Sequence, residues 1–172
     1  MSSFNTQIIK DTTQKTVIKL TGSWTDGVQE SNTYRIFANT LYGALDANNV
    51  PLRSSLSVGN TPLPYYNLQV TKINYNVNLP TPGYIQLYWQ GTTPGVIANL
   101  ERNGQYGEND GWPSITNNAV GANGHIGIAS FGATANSSST IFIEIRKDNA
   151  QFDRGQFEDP AAFNYPPYNL KP

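Results

Sequence analysis

The sequence predicts an all-β fold: a single-domain antiparallel β-sandwich or barrel with one short helix and an extended C-terminal arm. Short runs of β-branched and aromatic residues alternate with polar ones, turn residues separate these runs, and helical periodicity is almost absent. A chain of 172 residues is long enough for one domain with a sizeable core. We expect residues 1–15 to form an N-terminal arm or edge strand, residues 16–148 the sandwich, and residues 149–172 the C-terminal arm.

The first strands are predicted on both sides of the turn dipeptide Asp26-Gly27. Residues 16–24 read TVIKLTGSW, with Ile18 and Leu20 inward. Residues 32–38 would return antiparallel to this strand.

One short helix is predicted over residues 40–47. Leu41, Ala44 and Leu45 are spaced by three and four residues, and Asn39 is a plausible N-cap.

The central prediction is a hairpin over residues 68–90. Its runs LQVTKINYNV and YIQLYWQ alternate apolar and polar residues around a turn that contains Pro80, Pro82 and Gly83. Leu68 and Val70 have the opposite parity to the apolar residues after them, which predicts a bulge near Thr71. The residues expected inward are Ile73, Tyr75, Val77, Leu79, Ile85, Leu87 and Trp89.

Further strands are predicted in the second half of the chain. The segment 91–124 is rich in Gly and Asn, and we expect short strands near 96–100 and 114–117 inside it. Residues 125–131 form another candidate strand. Residues 141–146 (IFIEIR) show the clearest alternation, with Ile141, Ile143 and Ile145 inward.

The composition excludes several functional classes. Eleven basic and twelve acidic residues argue against nucleic acid as a partner. No apolar run reaches the ~20 residues of a membrane helix, and residues 1–15 lack a signal-peptide segment. Only 13% of the residues are charged, against roughly 25% in ordinary domains. We therefore expect a neutral surface that packs against neighbours or meets variable salt outside a cell, on a protein made in a cytoplasm. Sugar-binding modules have a similar composition.

The sequence carries no recognisable catalytic or metal-binding motif, and we expect no enzyme activity, metal or cofactor. It has no cysteine, and its one histidine, His125, lies in an apolar strand beside glycines. The carboxylates Glu101, Glu108 and Asp110 lie in the Gly/Asn-rich region, where solvation is the default. Oxygen-bearing side chains at 108–110 are consecutive, whereas a calcium loop needs them at alternate positions.

Two tryptophans are candidates for exposed aromatic residues that could stack on a sugar. Trp24 ends a strand just before a turn, and Trp112 precedes Pro113 in a loop. Packing in the core or at its rim is the preferred interpretation for both.

The segment 149–172 has no strand or helix period and is rich in aromatic residues and proline. It either covers its own sandwich or docks on a neighbouring subunit or a shell beneath. The residues expected at such a partner interface are Phe157, Phe163, Tyr165, Pro166, Pro167 and Tyr168.

Short motifs along the chain resemble small virion structural proteins of tailed bacteriophages, especially cyanophages. The motifs are KTVIKLTG (15–22), QESN (29–32), GYIQLYW (83–89), RKD (146–148), FDRGQ (152–156) and DPAAF (159–163).

This resemblance implies a β-rich, non-enzymatic component of a virion. The neutral surface, the compact sandwich, the arm and the lack of a signal-peptide segment favour a capsid decoration (cement) protein within that class. The expected partners are further copies of the chain and the major capsid or other virion proteins. A neck, collar or tail protein is the alternative within this class. The alternative from another class is a carbohydrate-binding module of a host-recognition fibre.

Overall fold

The computed structural model describes residues 2–31, 33–52, 61–107, 109 and 111–153. Its regular elements are β-strands and one short 3₁₀ turn. The strands are β1 (Ser2–Asp11), β2 (Lys15–Trp24), β3 (Thr33–Ile36), β4 (Leu68–Asn78), β5 (Tyr84–Trp89), β6 (Gly95–Leu100), β7 (Asn103–Gly107), β8 (Ile115–Thr116), β9 (Ile126–Phe131) and β10 (Ser138–Lys147).

The strands form two antiparallel sheets, which confirms the predicted all-β sandwich. The first sheet has the order β1-β2-β10-β4-β7, and β8 pairs with β4 beside β7. The second sheet has the order β3-β9-β5-β6. One hydrophobic cluster contains buried residues of both sheets. Its fully buried members include Ile18, Leu20, Ile73, Ile85, Leu87, Trp89, Ile141, Ile143 and Ile145, as predicted.

The predicted hairpin over residues 68–90 is wrong in its pairing, although both strands exist. β4 lies between β10 and β7 in the first sheet, whereas β5 lies between β9 and β6 in the second. The segment 79–83 therefore crosses from one sheet to the other. Each strand has one buried face, and this alternation is the same whether two strands pair edge to edge or face each other across a core.

The predicted return of residues 32–38 alongside residues 16–24 is also wrong. The chain after Asp26-Gly27 crosses to the second sheet, where β3 pairs with β9. A register shift falls between Tyr34 and Ile36, so Ile36 is buried while Tyr34 is exposed.

The predicted helix over residues 40–47 does not form. In this part of the chain the structure has the 3₁₀ turn Ala38–Thr40, and Gly43 follows it with a φ of +79°. Leu41, Ala44 and Leu45 are nevertheless buried. Ala44 and Leu45 make isolated bridges to Phe152 and Pro51, so extended contacts place these apolar residues in the core.

The bulge predicted near Thr71 is present. In the pairing of β4 with β10, Glu144 lies opposite Lys72 and Ile145 lies opposite Val70, which leaves Thr71 without a partner residue. The strand therefore keeps Val70 and Ile73 buried, although they have opposite parity. Thr71 donates from its hydroxyl to the backbone oxygen of Glu144 at 3.3 Å and to Oε1 of the same residue at 3.1 Å.

Candidate functional surface

The outer face of the first sheet is the broadest surface that the described strands build, and we call it the wide face. Strand pairing aligns its side chains in transverse rows, because outward-pointing residues lie opposite each other in each pair of strands. In strand order, the rows are Ser3, Ser23, Ser138 and Asn78; Asn5, Thr21, Thr140, Asn76 and Asn103; Gln7, Lys19, Phe142, Asn74 and Gln105; Lys10, Val17, Glu144 and Lys72; and Lys15, Arg146, Gln69 and Thr116.

One end of the wide face is neutral. Its first two rows consist only of serine, threonine and asparagine. Thr21 and Thr140 are half-buried, and the other side chains of these rows are exposed. Hydroxyl and amide groups both donate and accept hydrogen bonds. This end can therefore bind a partner's backbone, amide or hydroxyl groups without requiring an opposite charge.

The other end of the wide face is basic. The face as a whole carries one acidic side chain, Glu144, on a chain whose net charge is −1. Glu144 forms an exposed ion pair with Lys15 at 3.1 Å. The basic side chains of the face are Lys10, Lys15, Lys19, Lys72 and Arg146. This charge distribution favours a partner with acidic groups near one end of the contact.

A shallow depression lies at the middle of the wide face. It has a volume of about 380 Å³, and Val17, Asn74 and Phe142 contribute to its lining. The Phe142 ring is 39% exposed, and the ammonium group of Lys19 lies 5.8 Å from its centre. Such a central aromatic residue among polar neighbours is a typical anchor for a protein partner.

The outer face of the second sheet has a different chemistry. The rings of Tyr84 and Phe131 stack with centres 4.7 Å apart, and Val96 is exposed. Tyr88 covers Gly127, where an added Cβ would lie 2.2 Å from the tyrosine ring. Burial, with the nearby Tyr34 and Glu30, raises the pKa of Tyr88 to about 12.

The two candidate tryptophans, Trp24 and Trp112, differ in exposure. Trp24 is only 1% exposed, so it is not an exposed stacking residue, and the preferred interpretation of core packing is confirmed for it. It shares the inward face of β2 with Ile18 and Leu20, and the Phe4 ring meets it edge-on at 5.2 Å. The common parity of these three residues was the sequence signal for burial.

Trp112 is 59% exposed. Its ring lies 6.1 Å from that of Tyr106 at an angle of 32°, beside the β7 edge. The hydroxyl group of Tyr106 donates to the backbone oxygen of Pro113, which fixes the ring near Trp112. This aromatic pair is therefore the candidate stacking platform.

His125 has a packing role in the structure. Its Nδ1 accepts a hydrogen bond from the backbone N–H of Ala38 at 3.0 Å, and its ring contacts that of Phe37. Burial lowers the pKa of His125, so the neutral imidazole is favoured. No cluster of three or more potential metal-ligating side chains occurs among the described residues.

The residues predicted at a partner interface lie outside the described part of the chain; they are residues 157, 163 and 165–168. The first part of the predicted arm belongs to the sandwich. Phe152 is buried against Tyr66, with ring centres 5.5 Å apart. The backbone N–H of Asp153 donates to the oxygen of Gly43 at 2.6 Å. An arm can thus leave the domain only after Asp153.

No protein-family model, curated protein or solved structure matches this chain. In the described part of the chain, no helix has the length and apolar character needed to cross a membrane.

Proposed function

We propose that this protein is a structural, non-enzymatic component of a phage particle that decorates the capsid and docks on it through the wide face. The observation that carries this proposal is the segregation of side chains on that face: neutral rows at one end, basic side chains at the other, and Phe142 between them. A surface of this kind fits a large partner with hydrogen-bonding and acidic groups. The resemblance of its short motifs to those of phage virion proteins favours the same class.

The proposal predicts which part of the binding free energy depends on salt. The basic side chains would lie against acidic groups of the shell, and salt screens such interactions. The neutral rows would contribute hydrogen bonds that depend little on ionic strength. Binding should therefore weaken with added salt without being abolished.

The direct test adds purified protein to particles of the source phage that lack it. We expect binding to saturate at a fixed number of copies per particle, with antibody labelling spread over the head. Lys72→Glu combined with Lys19→Glu should weaken binding at least about tenfold, since two favourable charges become unfavourable. Gln86→Glu adds one negative charge on the outer face of the second sheet; it is the control for added charge away from the wide face and should bind normally.

The outcome also distinguishes the alternatives in the same class. Label confined to one vertex or to the tail would assign the protein to the neck, collar or tail. No binding to particles at any salt concentration would contradict a virion role.

A carbohydrate-binding module is the second candidate, and the Tyr106–Trp112 pair is the observation in its favour. Stacking of a sugar on an exposed tryptophan contributes substantially to such binding. A glycan array probed with wild-type protein and with Trp112→Ala tests this function. Glycan binding that is lost in the variant would favour the module, whereas no binding by either protein would contradict it.

A further inference from the structure

The outer edge of β1 carries backbone groups without a partner strand in the described part of the chain. β1 ends the first sheet and has ten residues, which makes it longer than the other edge strands β3, β6, β7 and β8. It contains no proline or glycine, and Ile8 and Ile9 are 46% and 50% exposed. Unprotected edges of this kind pair readily with another strand.

The pairing pattern identifies the β1 residues whose backbone groups point outward. The N–H of Trp24 donates to Ser137 at 3.0 Å, and its oxygen accepts from Asn136 at 2.8 Å, so both groups point away from β1. Backbone direction alternates along an antiparallel strand. Because Ser2 lies opposite Trp24, the backbone groups of Phe4, Thr6 and Ile8 also point away from β2.

We propose that two copies of this chain associate through their β1 edges, antiparallel, about a two-fold axis at Thr6. In this register Thr6 lies opposite Thr6 of the second copy, and Phe4 lies opposite Ile8. All three residues present outward backbone groups, so about six hydrogen bonds join the two sheets. The contact joins the wide faces of both copies into one continuous surface.

The side chains fit the same register. Pairing Phe4 with Ile8 places an aromatic ring beside a β-branched residue that is exposed in the single chain, which is a favourable cross-strand pair. Asn5 lies opposite Gln7 on the wide face, where both amides can hydrogen-bond. Residues 2–9 carry no charged side chain, so no like charges meet.

The edge also carries features that limit further association. The register shift between Ile8 and Lys10 leaves Ile9 as an extra residue, and Lys10 adds a charge. Bulges and lysines discourage continued strand pairing. These features leave Ser2 to Ile8 as the regular part of the edge, which suits a closed dimer.

A matched pair of variants tests the dimer by sedimentation. Thr6→Pro removes the outward N–H, whereas Thr6→Ala keeps it. Both lose the hydrogen bond from the Thr6 hydroxyl to the oxygen of Arg35, 3.2 Å long. We expect wild-type protein and Thr6→Ala to be dimers. Thr6→Pro should dimerise at least about tenfold more weakly, since both symmetry-related donors are lost.

Cross-linking tests the register and does not depend on how Thr6→Pro folds. The chain has no cysteine, so Asn5→Cys and Gln7→Cys each introduce a single one. In the proposed dimer, residues 5 and 7 form a non-hydrogen-bonded pair with Cα atoms about 4.5 Å apart, within disulfide range. An equimolar mixture of the two variants should form a disulfide-linked dimer under mild oxidation.

Each variant alone serves as the control, because residue 5 of one copy is offset from residue 5 of the other by two positions, roughly 7 Å along the strand. Neither variant alone should cross-link efficiently. A monomeric wild-type protein at about 100 µM, well above a micromolar Kd, would overturn the proposal. Equal cross-linking by a single variant would overturn the register. Neither result depends on whether the protein binds phage particles.

Discussion

The ammonium group of Lys147 lies 2.5 Å from Oδ1 of Asp11, and this ion pair joins the last residue of β10 to the last residue of β1. Lys147 also donates to the backbone oxygens of Thr12 at 2.7 Å and Tyr42 at 2.8 Å. Its side chain is fully buried, and the Phe152 ring lies 5.2 Å away. One cation thereby joins the end of β10 to the end of β1, to the turn that follows β1 and to the segment that contains Tyr42.

Replacing Lys147 with methionine should lower the free energy of unfolding by ~3–5 kcal/mol, because the carboxylate and carbonyl groups around it would lose their partner while remaining partly buried. Lys72→Met is the control on the same sheet, and it should change stability by less than ~0.5 kcal/mol because Lys72 is exposed. Urea unfolding monitored by tryptophan fluorescence measures both. Equal effects would show that the Lys147 ion pair contributes little.

The two faces of β10 give a second prediction. Ile143→Ala should lower the free energy of unfolding by ~2–5 kcal/mol, because Ile143 is fully buried and truncation leaves a cavity. Phe142→Ala, at the neighbouring exposed position, should cost clearly less. Thermal unfolding of the two variants compares them, and a greater loss for Phe142→Ala would contradict the assignment of the two faces.

Two buried tyrosines should respond differently to removal of the hydroxyl group. The Tyr66 hydroxyl donates to the oxygen of Leu45 at 2.6 Å and accepts from the N–H of Leu63 at 3.1 Å. Tyr66→Phe should therefore cost ~1–3 kcal/mol. The buried Tyr88 hydroxyl has no hydrogen-bond partner in the described structure, so Tyr88→Phe should be neutral or stabilising. Chemical denaturation of both variants tests this difference in sign.

Stability should also depend on pH through His125. Burial lowers the pKa of this histidine in the folded protein, so the unfolded chain binds its proton at higher pH. The stabilising contribution is present above the ordinary pKa of about 6.5 and is lost as the pH falls towards the lower folded value. His125→Asn keeps an acceptor for the N–H of Ala38 but does not titrate.

The free energy of unfolding of wild-type protein should therefore fall more steeply between pH 7 and pH 5 than that of His125→Asn. Urea unfolding at intervals across this range gives both slopes. Identical slopes would mean that His125 binds a proton equally well in the folded and unfolded states.

The sequence alone determined most of the strands and their buried faces, although β7 was not predicted. Alternation is a local property of the backbone, because successive side chains of a strand point to opposite faces. Ile141, Ile143 and Ile145 were therefore predicted inward correctly. The change of parity between Val70 and Ile73 was sufficient to predict the bulge at Thr71, since an extra residue is required to keep both side chains buried.

The tertiary structure decided which strands are neighbours. β4 and β5 were predicted to pair because they are adjacent in sequence, yet each pairs only with other strands. The wide face likewise depends on which strands pair. One of its rows brings together residues that are far apart in the chain: Asn5, Thr21, Thr140 and Asn76. An alternation of apolar and polar residues indicates which side of a strand is buried. It contains no information on the partner strand, which depends on how all the apolar faces pack together.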